Sequence, residues 1–95
     1  MKAYWIAIYK DLNNVDNLKS YAEKATPAIK KYNGKILVRG GKVETLEGSP
    51  SPRTVIIEFP TIEDALRCYH SEEYQSAKKI AKGNFNRHIQ IVEGV

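Results

Sequence analysis

The segment AYWIAIYK, residues 3–10, is rich in aromatic and β-branched side chains and holds no glycine or proline. That composition predicts a β-strand. Its two alternating faces are both apolar: Tyr4, Ile6 and Ile8 on one, Trp5, Ala7 and Tyr9 on the other. A strand apolar on both sides is covered on both sides. In a chain of 95 residues one layer of helices can cover one face, so something else has to cover the second.

Downstream of this strand, Val15, Leu18, Ala22, Ala25, Ile29 and Tyr32 recur at three- and four-residue steps, the stripe of an amphipathic helix. Asn13 or Asn14 can cap its start and Asn33-Gly34 can end it. Pro27 falls inside the pattern and is expected to kink the helix or restart it, with Thr26 as a new cap.

A second strand is expected in KILVRGGKVETLEG, interrupted at Gly40-Gly41 by a bulge or bend. The third strand is RTVIIEFP, which alternates Val55, Ile57 and Phe59 against Thr54, Ile56 and Glu58, and Pro60 ends it. The two strands should pair as an antiparallel hairpin, with SPSP as a short turn between them. Thr61 and Asp64 then resemble a capping box. Ser71 caps a further helix, expected over residues 72–82 with Gly83 as its stop. NRHIQIVEGV is the last strand, with Ile89 and Ile91 opposed to His88, Gln90 and Val92.

The order is β-α-β-β-α-β, the split βαβ or ferredoxin-like pattern of the α+β class. A single domain is expected over residues 1–95, with a four-stranded antiparallel sheet and its helices on one face. The doubly apolar first strand predicts a homodimer packed sheet to sheet, which also suits a chain too short to bury much of its own surface.

Cys68 is the only cysteine, which excludes a disulfide framework and fits a reducing compartment. The N-terminus lacks the long apolar region and small-residue cleavage site of a secretory signal. No apolar run approaches the roughly 20 residues that span a bilayer. A soluble, cytoplasmic protein with no membrane partner is the expectation.

The formal net charge is +4. Its bases are scattered, and most stand near expected helix ends, where positive charge suits the helix dipole. They point to a solvated basic surface or a small anionic ligand rather than to nucleic acid. An RNA-recognition motif shares the βαββαβ order, but it needs stacking aromatics on its third strand, where this chain has aliphatics. No GxxxxGK[ST] or GxGxxG pattern occurs, and Arg39-Gly40-Gly41 opens no helix, so nucleotide binding by a glycine cradle is excluded.

The motifs AYWIAIY, RGGKVETLEG, RTVIIEFP, YHSEEYQ and VEGV, in that order over nearly the whole chain, resemble the DUF1330 family. The resemblance implies a dimeric α+β barrel within the ferredoxin-like class, and a family of unknown function. The wider dimeric α+β barrel group includes cofactor-independent monooxygenases, haem-degrading enzymes, lactone isomerases and small-ligand-binding domains. The family usually reads Trp-Tyr-Asn-Ser-Pro-Glu-Tyr-Gln across the helix junction. Here it reads Cys68-Tyr69-His70-Ser71-Glu72-Glu73-Tyr74-Gln75, so a pocket lined there changes shape.

Several residues can carry chemistry. Arg39, Glu44, Glu47, Arg53 and Glu58 lie on the predicted hairpin and its connection. Arg39 is the expected partner of Glu58, because an acid in an apolar strand needs one and guanidinium can bind carboxylate at two points. The cluster is either an ion-pair lock on the hairpin or a pocket for a small anionic or carbonyl compound. In the pocket, Arg39 or Arg53 holds the anion and Glu58 or Glu44 acts as base. His88 is a second candidate base beside Glu58, against a partly exposed histidine with no role. His70 is expected in a capping or surface role.

Cys68 and His70 are too few for a zinc site, and no metal or other cofactor is expected. Cys68 is read as a small buried hydrophobe. The tyrosines, Tyr69 and Tyr74 among them, either line a ligand cavity or fill the core. Tyr74 and Gln75 enter as candidates through the family motif, as hydrogen-bonding partners of the loop or of a second subunit.

Two functional readings result. One is a ligand-binding dimer, with cofactor-free oxygenation or isomerisation as its chemistry by analogy of fold. The other is a structural or regulatory dimer without catalysis.

Overall fold

The computed structural model describes residues 1–12 and 14–95. The elements are β1 (Ala3–Leu12), α1 (Val15–Lys31), β2 (Lys35–Arg39), β3 (Arg53–Phe59), α2 (Ile62–His70), α3 (Glu72–Ala81) and β4 (Phe85–Glu93). They form the expected ferredoxin-like α+β arrangement, one four-stranded sheet in the order β2-β3-β1-β4, antiparallel throughout. Among the described residues no helix is long and apolar enough to cross a membrane.

The double apolar character of β1 follows from its central place. Ala3, Trp5, Ala7 and Tyr9 face the helices and are buried. Trp5 lies between Ile57 of β3 and Ile91 of β4, and its ring meets Phe59 at 6.0 Å and Tyr74 at 4.9 Å between centroids. Truncating such an aromatic costs about 3–5 kcal/mol. On the other face Tyr4 and Ile6 are half-buried and Ile8 is exposed, with Ile56, Val38 and Val92 from the other strands around them. Among the described residues no helix covers that face.

The helix boundaries follow local chemistry. The Asn14 side chain accepts from Asn17 N–H at 3.0 Å and caps α1; Asn13, the other candidate, lies outside the described residues. Asn33 takes a left-handed φ of 66° just after α1. Thr61 caps α2 by accepting from Asp64 N–H at 3.1 Å, but Asp64 turns its carboxylate to Arg67 rather than back to the cap. Ser71 splits the second helical region as expected, accepting from Tyr74 N–H at 3.1 Å. Gly83 follows α3 at φ 80°.

Three expectations are corrected. First, of the two outcomes expected at Pro27, the restart at Thr26 does not occur, and α1 is one helix through the proline. The proline's missing N–H leaves the Glu23 carbonyl without its helical donor, and Glu23 and Pro27 are both on the exposed side, where the carbonyl is open to solvent.

Second, β2 ends at Arg39, and residues 40–48, expected to continue it as a bent strand, join the turn at 49–52 in one irregular, largely exposed excursion. Gly40 N–H donates to the Thr54 carbonyl at 2.9 Å, after which β3 offers little further length to pair with. Gly40, at φ 66°, turns the chain away. The register shift in β2 lies between Ile36 and Val38, not at the glycines.

Third, Arg39 does not meet Glu58. The register sets Arg39 opposite Val55 and Lys35 opposite Glu58, and the Glu58 carboxylate pairs instead with Lys2 Nζ at 3.2 Å.

Candidate functional site

Tyr9 organises the site. The register of β1 places Arg53 of β3 on one side of it and Arg87 of β4 on the other. All three side chains therefore point to the helix layer. Both guanidinium groups lie over the Tyr9 ring, Arg53 at 5.8 Å and Arg87 at 5.6 Å from its centroid.

Arg87 is held entirely by tyrosines. Its Nη1 donates to the Tyr9 hydroxyl at 3.1 Å and its Nη2 to the Tyr74 hydroxyl at 3.0 Å. The Tyr74 and Tyr21 hydroxyls share a 2.7 Å hydrogen bond, and the guanidinium sits 4.7 Å from the Tyr21 ring centroid. Burial is the main force pushing the Tyr21 and Tyr74 hydroxyls above the ordinary tyrosine range, so both stay protonated near neutral pH. Burial disfavours the charge on Arg87, but the tyrosine oxygens outweigh it and the group is held above the usual arginine value. The result is a half-buried cation whose hydrogen-bond partners are neutral.

A cavity of about 50 Å³ opens beside this cluster, between α1 and the sheet. Trp5, Tyr9, Tyr21, Ile29 and Ile57 supply its apolar wall. Arg39, Arg53 and Arg87 all line it, and no carboxylate does. Arg53 Nε is buried and has no hydrogen-bond partner among the described residues. Arg39 is exposed and stands at the mouth.

Gly40 gives Arg53 its room: a Cβ there would stand 2.1 Å from Arg53 Nη1. Ser51 fixes the far end of the excursion by donating to the Tyr9 carbonyl at 2.6 Å, while Arg53 N–H donates to Ser51 Oγ at 3.3 Å. Residues 40–52 thus leave and re-enter the sheet at the two arginines that line the cavity.

The other candidates fall elsewhere. Glu44 and Glu47 are exposed on the excursion, and neither meets Arg53 among the ion pairs of the described residues. Glu58 and His88 both face the open side of the sheet, away from the cavity. Glu58 lies opposite Tyr4 and His88 opposite Ile8. About 13 Å of strand separates them, so the expected Glu58–His88 pair does not form within the chain. His88 Nε2 instead accepts from the Gln90 amide at 2.9 Å.

Tyr69 is half-buried with its ring tilted against those of Trp5 and Tyr74, while His70 is exposed at the end of α2. Gln75 donates to the Tyr69 carbonyl at 2.6 Å and ties the α2–α3 junction. Tyr74 is the family-motif residue that reaches the cluster, through Arg87. Cys68 is fully buried, and burial foremost pushes its thiol up to about 12, which makes it inert.

Arg87 is the residue that sequence reasoning passes over. The available signal is its parity: it shares a face with Ile89 and Ile91, so a charge is directed into the helix-facing layer.

The model of DUF1330, a domain of unknown function, matches residues 2–95. No protein with a curated description matches the chain. Solved structures share the fold at low identity. A protein of unknown function from Rhodopseudomonas palustris superposes with a TM-score of 0.82 at 12% identity, covering 99% of this chain and 82% of its own. A protein from Caulobacter crescentus, provisionally named an antibiotic biosynthesis monooxygenase, gives 0.68 at 10% identity over 99% and 90%. A dimeric protein of unknown function and ferredoxin-like fold from Bacteroides fragilis gives 0.58 at 14% identity over 98% and 96%.

Proposed function

The chain belongs to the DUF1330 family, and on that footing we propose that it binds a small anionic or carbonyl-bearing molecule between α1 and the sheet. The observation that carries this reading is the cavity's charge. Three arginines line it with no acid to balance them, and one buried Arg53 N–H group has no partner. An unpaired buried donor costs about 1–3 kcal/mol, which a bound oxygen atom relieves. Arg53 and Arg39 hold the anionic end, and the apolar body lies against Trp5, Tyr9 and Ile57. The cavity as it stands has room for only a few waters. A ligand therefore enters with displacement of Arg39 and the adjoining residues 40–52.

The functional unit in this reading is a homodimer joined through the open sheet face. Ile6, Ile8, Ile56, Val38 and Val92 there match what a second sheet would cover. A neighbour of the same fold is described as dimeric.

Cofactor-independent oxygenation or isomerisation is a second reading, favoured by one observation. The Tyr9–Arg87–Tyr74 network presents a guanidinium cation oriented by two buried phenols, which suits stabilising an enolate oxygen. Neither Glu58 nor His88 serves that site as base, since both face the other side of the sheet.

The test is a thermal-shift panel of aromatic carboxylates and keto acids on the wild type and the Arg39→Ala/Arg53→Ala variant. The expected result is stabilisation of the wild type that the variant loses while its circular dichroism is unchanged. Equal response in both proteins rejects the cavity. No response in either moves the reading to a structural or regulatory dimer.

A further inference from the structure

Away from the cavity, charge is concentrated in the groove between α3 and β4. Gln75, Lys78, Lys79 and Lys82 recur at three- and four-residue steps and so share one face at the end of α3. Phe85 and Arg87 form the opposite wall, and the groove is open, at about 440 Å³. Four cations line it and no carboxylate does.

Lysines at a helix C-terminus suit the dipole, but that accounts poorly for this set. The residues four positions before Lys78, Lys79 and Lys82 are Tyr74, Gln75 and Lys78, so none has an acid on the preceding turn. The ion pairs among the described residues use Lys2, Lys31 and Arg67 instead. Lys78 Nζ lies 5.2 Å from the Tyr69 ring centroid, a contact that keeps its charge. Arg87 is pre-oriented by Tyr9 and Tyr74, which take one N–H on each of its terminal nitrogens, and by the Tyr21 ring 4.7 Å from its guanidinium.

We propose that the α3–β4 groove binds the phosphate group of a small molecule, with Arg87 and Lys82 as its direct ligands and Lys78 and Lys79 around it. A carboxylate carries one charge and leaves a surplus of cations. A phosphate carries close to two and offers oxygens in several directions, which fits a fixed guanidinium beside mobile ammonium groups. Phe85 supplies an apolar face beside the anion. The site is distinct from the cavity between α1 and the sheet and shares only Arg87 with it.

The experiment is calorimetric titration of the full chain at low ionic strength with two probes, inorganic pyrophosphate and phenyl phosphate. Saturable binding is expected. Lys79→Ala/Lys82→Ala should weaken it about tenfold, and Lys79→Gln/Lys82→Gln, which keeps more of the side-chain stem, should do the same. Lys10→Ala/Lys24→Ala, at exposed lysines outside the groove, should leave it within about twofold. Tighter binding of phenyl phosphate assigns an aryl ester seated on Phe85, and tighter pyrophosphate assigns a free inorganic anion. Absence of saturable binding overturns the proposal. So does full affinity in both lysine variants, and so does a loss confined to the Arg39/Arg53 variant, which would place the phosphate in the cavity.

Discussion

Arg87 and Tyr74 are joined across the core, the guanidinium Nη2 donating to the phenol oxygen at 3.0 Å. Tyr74 is fully buried, and its hydroxyl also bonds that of Tyr21 at 2.7 Å. One oxygen therefore links α1, α3 and β4 and compensates part of a half-buried positive charge.

Removing that oxygen should be costly for its size. Tyr74→Phe leaves an Arg87 N–H and the Tyr21 hydroxyl unpaired, and the expected loss is about 1–3 kcal/mol in urea unfolding. Tyr21→Phe breaks the same bond from the other side. The double variant should then fall short of the sum of the singles by about 0.5 kcal/mol or more. Strict additivity would show that the hydroxyls act independently.

Stability should decline on the alkaline side. The Cys68 thiol is pushed up to about 12, and burial raises the Tyr21 and Tyr74 hydroxyls as well. The unfolded chain releases these protons first, near about 8.5 for a thiol and about 10 for a phenol. Their contribution is thus complete below those values and is lost as the pH rises toward the folded ones. The urea midpoint should hold to about pH 8 and fall between about pH 9 and 11. A flat or rising midpoint there contradicts the buried placement of these groups.

Gly40 should tolerate no side chain. Its φ of 66° is unfavourable for an L-residue, and a Cβ would collide with Arg53 Nη1. Gly40→Ala is expected to cost about 1–2 kcal/mol for the backbone alone and to move Arg53 out of the cavity. Gly41→Ala is the control, because its Cβ meets nothing within 4 Å and its φ is not positive. Equal effects from the two substitutions would remove Gly40's special role.

The legible parts of this chain are those set locally. The two apolar faces of β1, the caps at Asn14, Thr61 and Ser71 and the stop at Gly83 all depend on residues a few positions apart, and the family motifs run along the chain in order. The illegible parts depend on register. Whether Arg39 meets Glu58 or Val55 turns on a single shift between Ile36 and Val38, and the Lys2–Glu58 pair joins residues distant in sequence. The Tyr9–Arg53–Arg87 grouping requires two strand pairings at once. For the same reason residues 40–48 read as strand: their composition permits pairing, but β3 offers too little length to pair with.

The open sheet face makes its own prediction. Ile6 is half-exposed at the centre of β1, between Ile56 and Gln90. The wild type should sediment as a dimer at micromolar concentration. Ile6→Glu should sediment as a folded monomer, since a charge there faces water in the single chain but an apolar sheet in the dimer. A monomeric wild type would remove the sheet-to-sheet dimer from the proposal.

Native mass spectrometry of freshly purified protein tests ligand binding between α1 and the sheet most directly. The expected result is a retained small acid on the wild type that is absent from the Arg39→Ala/Arg53→Ala variant. The contradicting result is no retained species on either protein together with no uptake of any carboxylate or keto acid from a mixed panel, or equal retention by the variant.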